Sequence, residues 1–499
     1  MSVTSWTHVA GEGRLGRRTQ RWYWVALLCI VVWAALGCAC SAIAQTRFDL
    51  EAIDAHIRDT LERNRVPGAA VVIVADGEVL FQRTYGQDGR GDPVTDQTVF
   101  RLGSMSKAFT ALVAMRLVER DVIALETPVA AVLPELPLFH DSGATLEHLL
   151  RHASGLPTRT PHAVPTASLS EQVAALGTID RVAPPGARHL YSSANYLVAA
   201  RMLEKASGKS FEHLLSREVL GPLGFSDPSA ARDGRSMAFG HRRWALWPVP
   251  YQPWAETGRL PTASVTATAG DMARFLRVQL GDGSWQGSRL LSASAMQTMH
   301  TGAIDGEGFR YALGWRDGTL RGARAVWHGG VLPEHQGMMI LLPEREIGIA
   351  VLLNASSTLP LPTRPTSHRL ASDIAEMVLG ERPVPIRISF SVWLAGLWVA
   401  LGAVLLHQFH TVIRVLSGRD PASRPLRAAV ADAVIMLALI VGLPLYLRLS
   451  WQQFALQVPD LAMWISAMTG LTVVSSLGRV RQWRKVRNGT NGSLRPMLN

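Results

Sequence analysis

Apolar residues run together or alternate at the two ends of a stretch from about residue 46 to 385, and recur at three- and four-residue spacing between them. "AAVVIVADGEVLFQRTYG" (residues 69–86) reads as two strands joined by Asp76-Gly77, a dipeptide that accepts the positive φ of a tight hairpin turn. Late in the stretch "RYALGW", "ARAVWHGG", "GMMILLP" and "IGIAVLLN" are further strand candidates, with "PERE" turning between the last two. Between these ends, "SMSKAFTALVAMRLVERD", "TLEHLLRHAS", "SANYLVAARMLEKASG", "SFEHLLSREVLGPLG" and "TAGDMARFLRVQL" all carry helical periodicity. The pattern predicts an α+β domain, an α/β sandwich: an antiparallel sheet built from both ends, flanking helices, and an inserted, mostly helical subdomain.

After the proline-rich "GERPVPIRI" the pattern changes. Three runs, residues 388–406, 428–447 and 461–478, are nearly free of charge, and each is about long enough to cross the roughly 30 Å hydrocarbon core as a helix. Asp432 falls near one end of the second, where a carboxylate reaches the interface. Arg414, Arg419, Arg424 and Arg427 lie between the first two runs, and six basic residues without an acid lie in the tail 479–499; both segments should face the cytoplasm. The domain before residue 388 is then extracytoplasmic, on an inner (plasma) membrane protein with several spans. Arg14, Arg17, Arg18 and Arg21, an apolar middle and "AIA" before Gln45 read as a signal peptide over residues 1–44, with an uncleaved anchor or lipidation at Cys38 as alternatives.

Charge and cysteine content then narrow the chemistry. The net charge of +11 is concentrated in the leader, the loop and the tail, so nucleic-acid binding is not needed to explain it. The three cysteines, Cys29, Cys38 and Cys40, precede the domain, which excludes disulfides, cysteine nucleophiles and thiolate zinc from it. No cofactor is implied.

Of 50 basic residues only four are lysines, and one of them, Lys107, stands three positions after Ser104. Arginine cannot release its proton in a protein, whereas a desolvated lysine can, so a site that needs a basic amine must use lysine. Residues three apart share a helix face, and a helix N-terminus offers backbone N–H groups to a developing oxyanion. The plain alternative is that Ser104 is a helix N-cap and the spacing an accident. Rival chemistries find little: there is no Gly-x-Ser-x-Gly and no His-Glu-x-x-His, and His148 and His152, although at metal-like spacing, lack an acid cluster and read as structural. Trp244, Trp247 and Trp254, with prolines between them, are expected in the core or as a wall over the cleft.

"YSSANYLVAARML" sets Tyr191 at the head of a helix, and "AVWHGG" sets His328, Gly329 and Gly330 at a strand end. With Ser-x-x-Lys, Tyr-x-Ser and then a basic residue followed by small ones, the chain resembles the serine β-lactamase and penicillin-binding protein superfamily, nearest its class C-like branch. "LLRHASGLP" and "YALGW" also look like segments of that family, and the resemblance covers roughly residues 48–382. It implies Ser104 as acyl-enzyme nucleophile, Lys107 and Tyr191 as its shared acid and base, and the N–H groups of Ser104 and Val331 as oxyanion hole. Ser193, Asn195, His328, Gly329, Gly330 and Val331 would contact substrate, Gly330 by letting it approach the strand edge.

Two positions depart from the family pattern. Ser193 stands where asparagine is usual, with Asn195 two residues on, and His328 replaces a permanent cation. Both weaken the expectation of efficient antibiotic hydrolysis. Three functions follow: a membrane-anchored β-lactamase-type serine hydrolase acting on a β-lactam or related amide; a D-amino-acid peptidase of the cell wall or an esterase with the same machinery; or, in another class, a catalytically silent membrane sensor or scaffold. The expected partners are a small-molecule or peptidoglycan-type substrate and the lipid bilayer, through three helices, and no nucleic acid.

Overall fold

The computed structural model describes residues 48–499 apart from 162, 165, 178, 226–236, 253–256, 358, 360–363, 385–389, 420–424, 443, 446–450, 452–453, 456–457 and 493–499. The leader 1–44 with its cysteines, and Trp254, lie outside the described residues. The chain divides at Asp54, and the unit Ala55–Asn499 carries everything below.

The strands in chain order are β1 (Gly68–Ala75), β2 (Glu78–Gly86), β3 (Gly240–Trp244), β4 (Trp247–Tyr251), β5 (Ile304–Gly306), β6 (Phe309–Tyr311), β7 (Arg316–Leu320), β8 (Ala323–Val331), β9 (Gln336–Leu342) and β10 (Ile347–Leu353). Eight of them form one sheet in the order β2-β1-β10-β9-β8-β7-β6-β5, and its pairings are antiparallel. The first two strands therefore join the last one, with the helical region inserted between them, as the hydrophobic pattern predicts. The β1–β2 turn places Asp76 at φ 51° and Gly77 at φ 76°, the positive angles that an Asp-Gly hairpin requires. Glu346, at φ 52°, closes the β9–β10 turn in the same way.

Among the helices are α1 (Ser106–Val118), α2 (Leu146–Leu150), α3 (Ser193–Ser207), α4 (Ala269–Leu280), α5 (Thr366–Val378), α6 (Phe390–Leu416), α7 (Pro425–Leu437) and α8 (Pro459–Gly492). Helix α1 is apolar on every side, and Ser106 to Met115 are all buried, so it is an interior helix rather than an amphipathic surface one. Phe109 stacks on Phe275 of α4 at 4.0 Å between ring centres. Ala70, Val72 and Val74 of β1 and Met339 and Leu341 of β9 belong to the same core: α4 packs on that sheet face, and α1 and α3 continue the same core. Helix α5 covers the other face over β9 and β10.

The C-terminal region differs from its expected form. Two helices among the described residues, Phe390–Leu416 and the Pro459–Lys485 part of α8, are long and apolar enough to cross a membrane, not three. The second run is broken: α7 ends at Leu437 and a wide turn, Ala438–Gly442, follows just before Pro444, which has no N–H to continue the ladder. Helix α8 does not stop at residue 478 but continues to Gly492. Asp432 forms an ion pair with Arg479 at 2.5 Å.

Candidate active site

Ser104 lies in a single 3₁₀ turn, Gly103–Met105, directly before α1. It is not a helix N-cap: the cap position of α1 is Met105, without a side-chain capping bond. Instead the Lys107 Nζ, one turn on and fully buried, donates to the Ser104 Oγ at 3.1 Å. The same amine donates to the Thr262 carbonyl at 3.0 Å and lies 3.5 Å from the Ser193 Oγ. Burial lowers its pKa below the ordinary 10.5; Tyr191, whose ring centre is 5.1 Å from Nζ, works the other way, and Arg259 and Arg316 lower it further. Among the described residues no carboxylate pairs with it.

Two glycines explain how this corner is packed. Gly314 of "YALGW" has φ 78°, and a Cβ there would lie 2.9 Å from the Lys107 carbonyl oxygen and from the Ala108 Cα. Gly330 on β8 would set a Cβ 1.9 Å from the Leu102 carbonyl oxygen and 3.1 Å from the Ser104 amide nitrogen. The missing side chain lets β8 close onto the nucleophile turn. Gly329 faces the opposite side, where a Cβ would collide with His368 of α5. Strand β8 runs to Val331, but its pairing with β7 ends at Trp327 opposite Arg316, so residues 328–331 have a sheet partner only on the β9 side.

A buried ion pair braces the same junction. Arg101, just before the nucleophile turn, donates to Glu334, just after β8, at 2.6 Å, and the two side chains are 6% and 1% exposed. Burial alone would raise the Glu334 carboxyl; contact with His335 and the charge of Arg101 outweigh it and bring its pKa down to about 2.

The second sequence motif divides in two. Ser193 reaches the site through Lys107, whereas Asn195 is fully buried behind it and accepts from Ser154 while its amide meets His152 Nδ1 at 3.1 Å. Asn195, with both ends of its amide engaged, thus braces the segment behind the site. His152 Nδ1 also accepts the Ser192 N–H at 3.2 Å, so its proton is on Nε2, and its ring lies 4.3 Å from that of Tyr191. "LLRHASGLP" thus holds the head of α3, which carries Tyr191, in place. His148 instead closes a capping box with Thr145.

His328 is buried and neutral. Its Nδ1–H donates to the Gly329 carbonyl at 2.8 Å and its Nε2 accepts from the Tyr311 hydroxyl at 3.0 Å. Burial, aided by the charges of Arg316 and Lys107, holds its pKa well below 6.5. The permanent cation here is Arg316, which the sequence reading passed over although it directly follows "YALGW". Its guanidinium lies 5.9 Å from the Tyr191 ring centre and 4.9 Å from that of Phe309, its Nε is buried with no hydrogen-bond partner, and no carboxylate among the described residues pairs with it.

A serine beside a deprotonatable amine, a phenol close to that amine, and two backbone segments meeting at the serine make the kind of site that acyl transfer uses. Comparison with known proteins agrees. The beta-lactamase family profile matches residues 53–372. Penicillin-binding protein 4 of Amycolatopsis lactamdurans is 31% identical over 334 residues, 62% of this chain and 84% of that protein. A beta-lactamase of Escherichia coli strain K12 is 27% identical over 362 residues, 65% of this chain and 93% of its own length. The octameric penicillin-binding protein homologue of Pyrococcus abyssi superposes with a TM-score of 0.59 at 25% identity, covering 67% of this chain and 78% of that one. The chain belongs to the beta-lactamase family, which includes serine β-lactamases and penicillin-binding proteins.

Proposed function

We propose that the protein is a membrane-anchored serine hydrolase that works through an acyl-enzyme on Ser104, with a β-lactam or related amide as substrate. The observation that carries this reading is the fully buried Lys107 amine at 3.1 Å from the Ser104 hydroxyl, with no acid among the described residues to hold its proton. Neutral Lys107, with Tyr191 beside it, accepts the Ser104 proton as Oγ attacks the carbonyl carbon. The N–H groups of Ser104 and Val331 hold the oxyanion, and the proton passes to the leaving nitrogen as the C–N bond breaks. Water then adds to the ester and releases Ser104. Ser193 positions the amine. The unpaired edge of β8 at residues 328–331 takes an extended substrate, and Arg316 takes its anionic group.

The domain, residues 46–385, stands on the extracytoplasmic side and the basic residues of 479–499 face the cytoplasm, so α6 and α8 cross in the same direction and the broken run between them returns the chain. The exposed apolar faces of α6 and α8 support this placement.

Intact-mass time courses of the full chain in detergent with benzylpenicillin test the function. A transient adduct with loss of drug identifies a lactamase, and a lasting adduct a penicillin-binding peptidase; Ser104→Ala forms neither. If no adduct appears, p-nitrophenyl esters come next, and wild type that turns over neither substrate faster than Ser104→Ala leaves the silent sensor or scaffold.

A further inference from the structure

Trp244 and Trp247, expected in the core or over the cleft, are not in the core. Trp244 and Trp247 face each other across the Ala245-Leu246 turn of the β3–β4 hairpin and are 41% and 62% exposed. Strand β4, "WPVPY", lies at the edge of its small sheet, and Val249 on it is 42% exposed. Exposed apolar edges usually invite another strand, but Pro248 and Pro250 remove two amide donors from this one. The edge is thus apolar without being a template for pairing. Arg65 lies over the Trp247 ring at 4.3 Å and donates to the Leu246 carbonyl at 3.3 Å, which sets a cation beside the exposed indole.

The hairpin is also tied to the long apolar helices. The Ala245 N–H at its tip donates to the Asp460 carboxylate at 2.9 Å, and Asp460 is in the first turn of α8. Arg243 lies 5.9 Å from the ring centre of Phe390, the first residue of α6. Trp393 in the first turn of α6 and Trp451 shortly before α8 are exposed aromatics at the same ends of these helices. Farther along α6, Val399 is 74% exposed and Leu406 70%, as lipid-facing positions would be.

We infer that the Trp244–Trp247 hairpin is a membrane-interface contact: it seats the domain on the headgroup layer of the same bilayer that α6 and α8 cross. Tryptophan and tyrosine favour that layer because their rings are apolar and their N–H or O–H groups are polar, and arginine favours it because it meets phosphate. The hairpin is held at the start of both helices, so if they span, its tip lies at headgroup depth. The inference rests on the membrane placement proposed above.

The test uses the full chain with Cys29, Cys38 and Cys40 replaced by alanine, in nanodiscs of phosphatidylethanolamine and phosphatidylglycerol. A single cysteine is introduced by Trp247→Cys, Val399→Cys or Glu126→Cys and carries an environment-sensitive fluorophore. Spin-labelled lipids, with the nitroxide on the headgroup or deep in the acyl chain, report depth. The expected result is loss of emission at 247 with the headgroup label, loss at 399 with the deep label, and no loss at 126, which is an exposed position on the domain. Quenching at 399 while 247 behaves like 126 overturns the hairpin contact and leaves the membrane placement standing. No quenching at 399 removes the membrane placement and the inference with it. Trp244→Cys repeats the reading from the other side of the turn, and a dry 244 and 247 in a quenched-399 protein assigns the apolar edge to a protein partner instead.

Discussion

Two buried cations flank the Ser104 turn, and they are kept in opposite ways. Arg101 sits against the buried Glu334 carboxylate at 2.6 Å, whereas Lys107 has two hydroxyls and a carbonyl around it and no acid. An arginine cannot shed its charge, so it can be buried only with a counter-charge; a lysine can become neutral, and burial pushes it that way. The first arrangement braces the backbone, and the second suits the base proposed for Ser104. At this position lysine keeps open the proton release that arginine cannot provide.

The largest expected effect is on the nucleophile. Ser104→Ala should cut turnover by on the order of 10⁶, read by steady-state kinetics on whichever substrate the wild type accepts. Next, Lys107→Arg should cost about 10²–10⁴ in the acylation rate while Ser104 remains in place. Lys107→Met should lose the same activity without loss of stability, because folding no longer has to strip an amine of its water and its proton. Urea denaturation reads that difference.

The braced cation should respond in the opposite sense. Glu334→Gln takes the counter-charge of Glu334 away from the buried Arg101 and should lower stability by about 3–5 kcal/mol, and combining it with Arg101→Met should restore most of that. The pH dependence follows the same division. Glu334 is held at about 2, below its ordinary 4.5, so its stabilisation is complete above 4.5 and is lost as pH falls toward 2. Lys107 is also lowered, but it is a base, so its burial costs stability while it is charged, and wild type should gain on Lys107→Met as pH rises from its depressed value toward 10.5. The smallest effect is on recognition. Arg316→Gln should raise KM for a carboxylate-bearing substrate by about 10- to 100-fold and leave a neutral ester unchanged, since a hydrogen bond to a charged group is worth about 1.5–3 kcal/mol.

The sheet and its insertion are legible in the sequence because period-two and helical patterns separate cleanly, and Asp76-Gly77 marks the hairpin. The Ser104–Lys107 approach is legible because it is local, three residues on one turn. Arg316 and the Arg101–Glu334 pair are not, since each owes its meaning to strands that meet only in the folded sheet. The same limit explains Asn195 and Gly329. The turn of α3 sets Asn195 against Ser154 and His152, and the alternation of β8 sets Gly329 against His368, contacts that a motif does not carry. At the C-terminus, hydropathy alone counts three runs and does not register the widened turn before Pro444 that breaks the second. Exposure of Trp244 and Trp247 is likewise invisible to a pattern that treats large aromatics as core.

The most direct test of the central claim is the pH profile of Ser104 acylation by p-nitrophenyl acetate in wild type and Lys107→Arg. If neutral Lys107 is the base, the wild-type rate rises through a pKa below 10.5 and then levels off, and the arginine variant stays slow throughout. A variant that acylates as fast as wild type with the same profile would contradict the account.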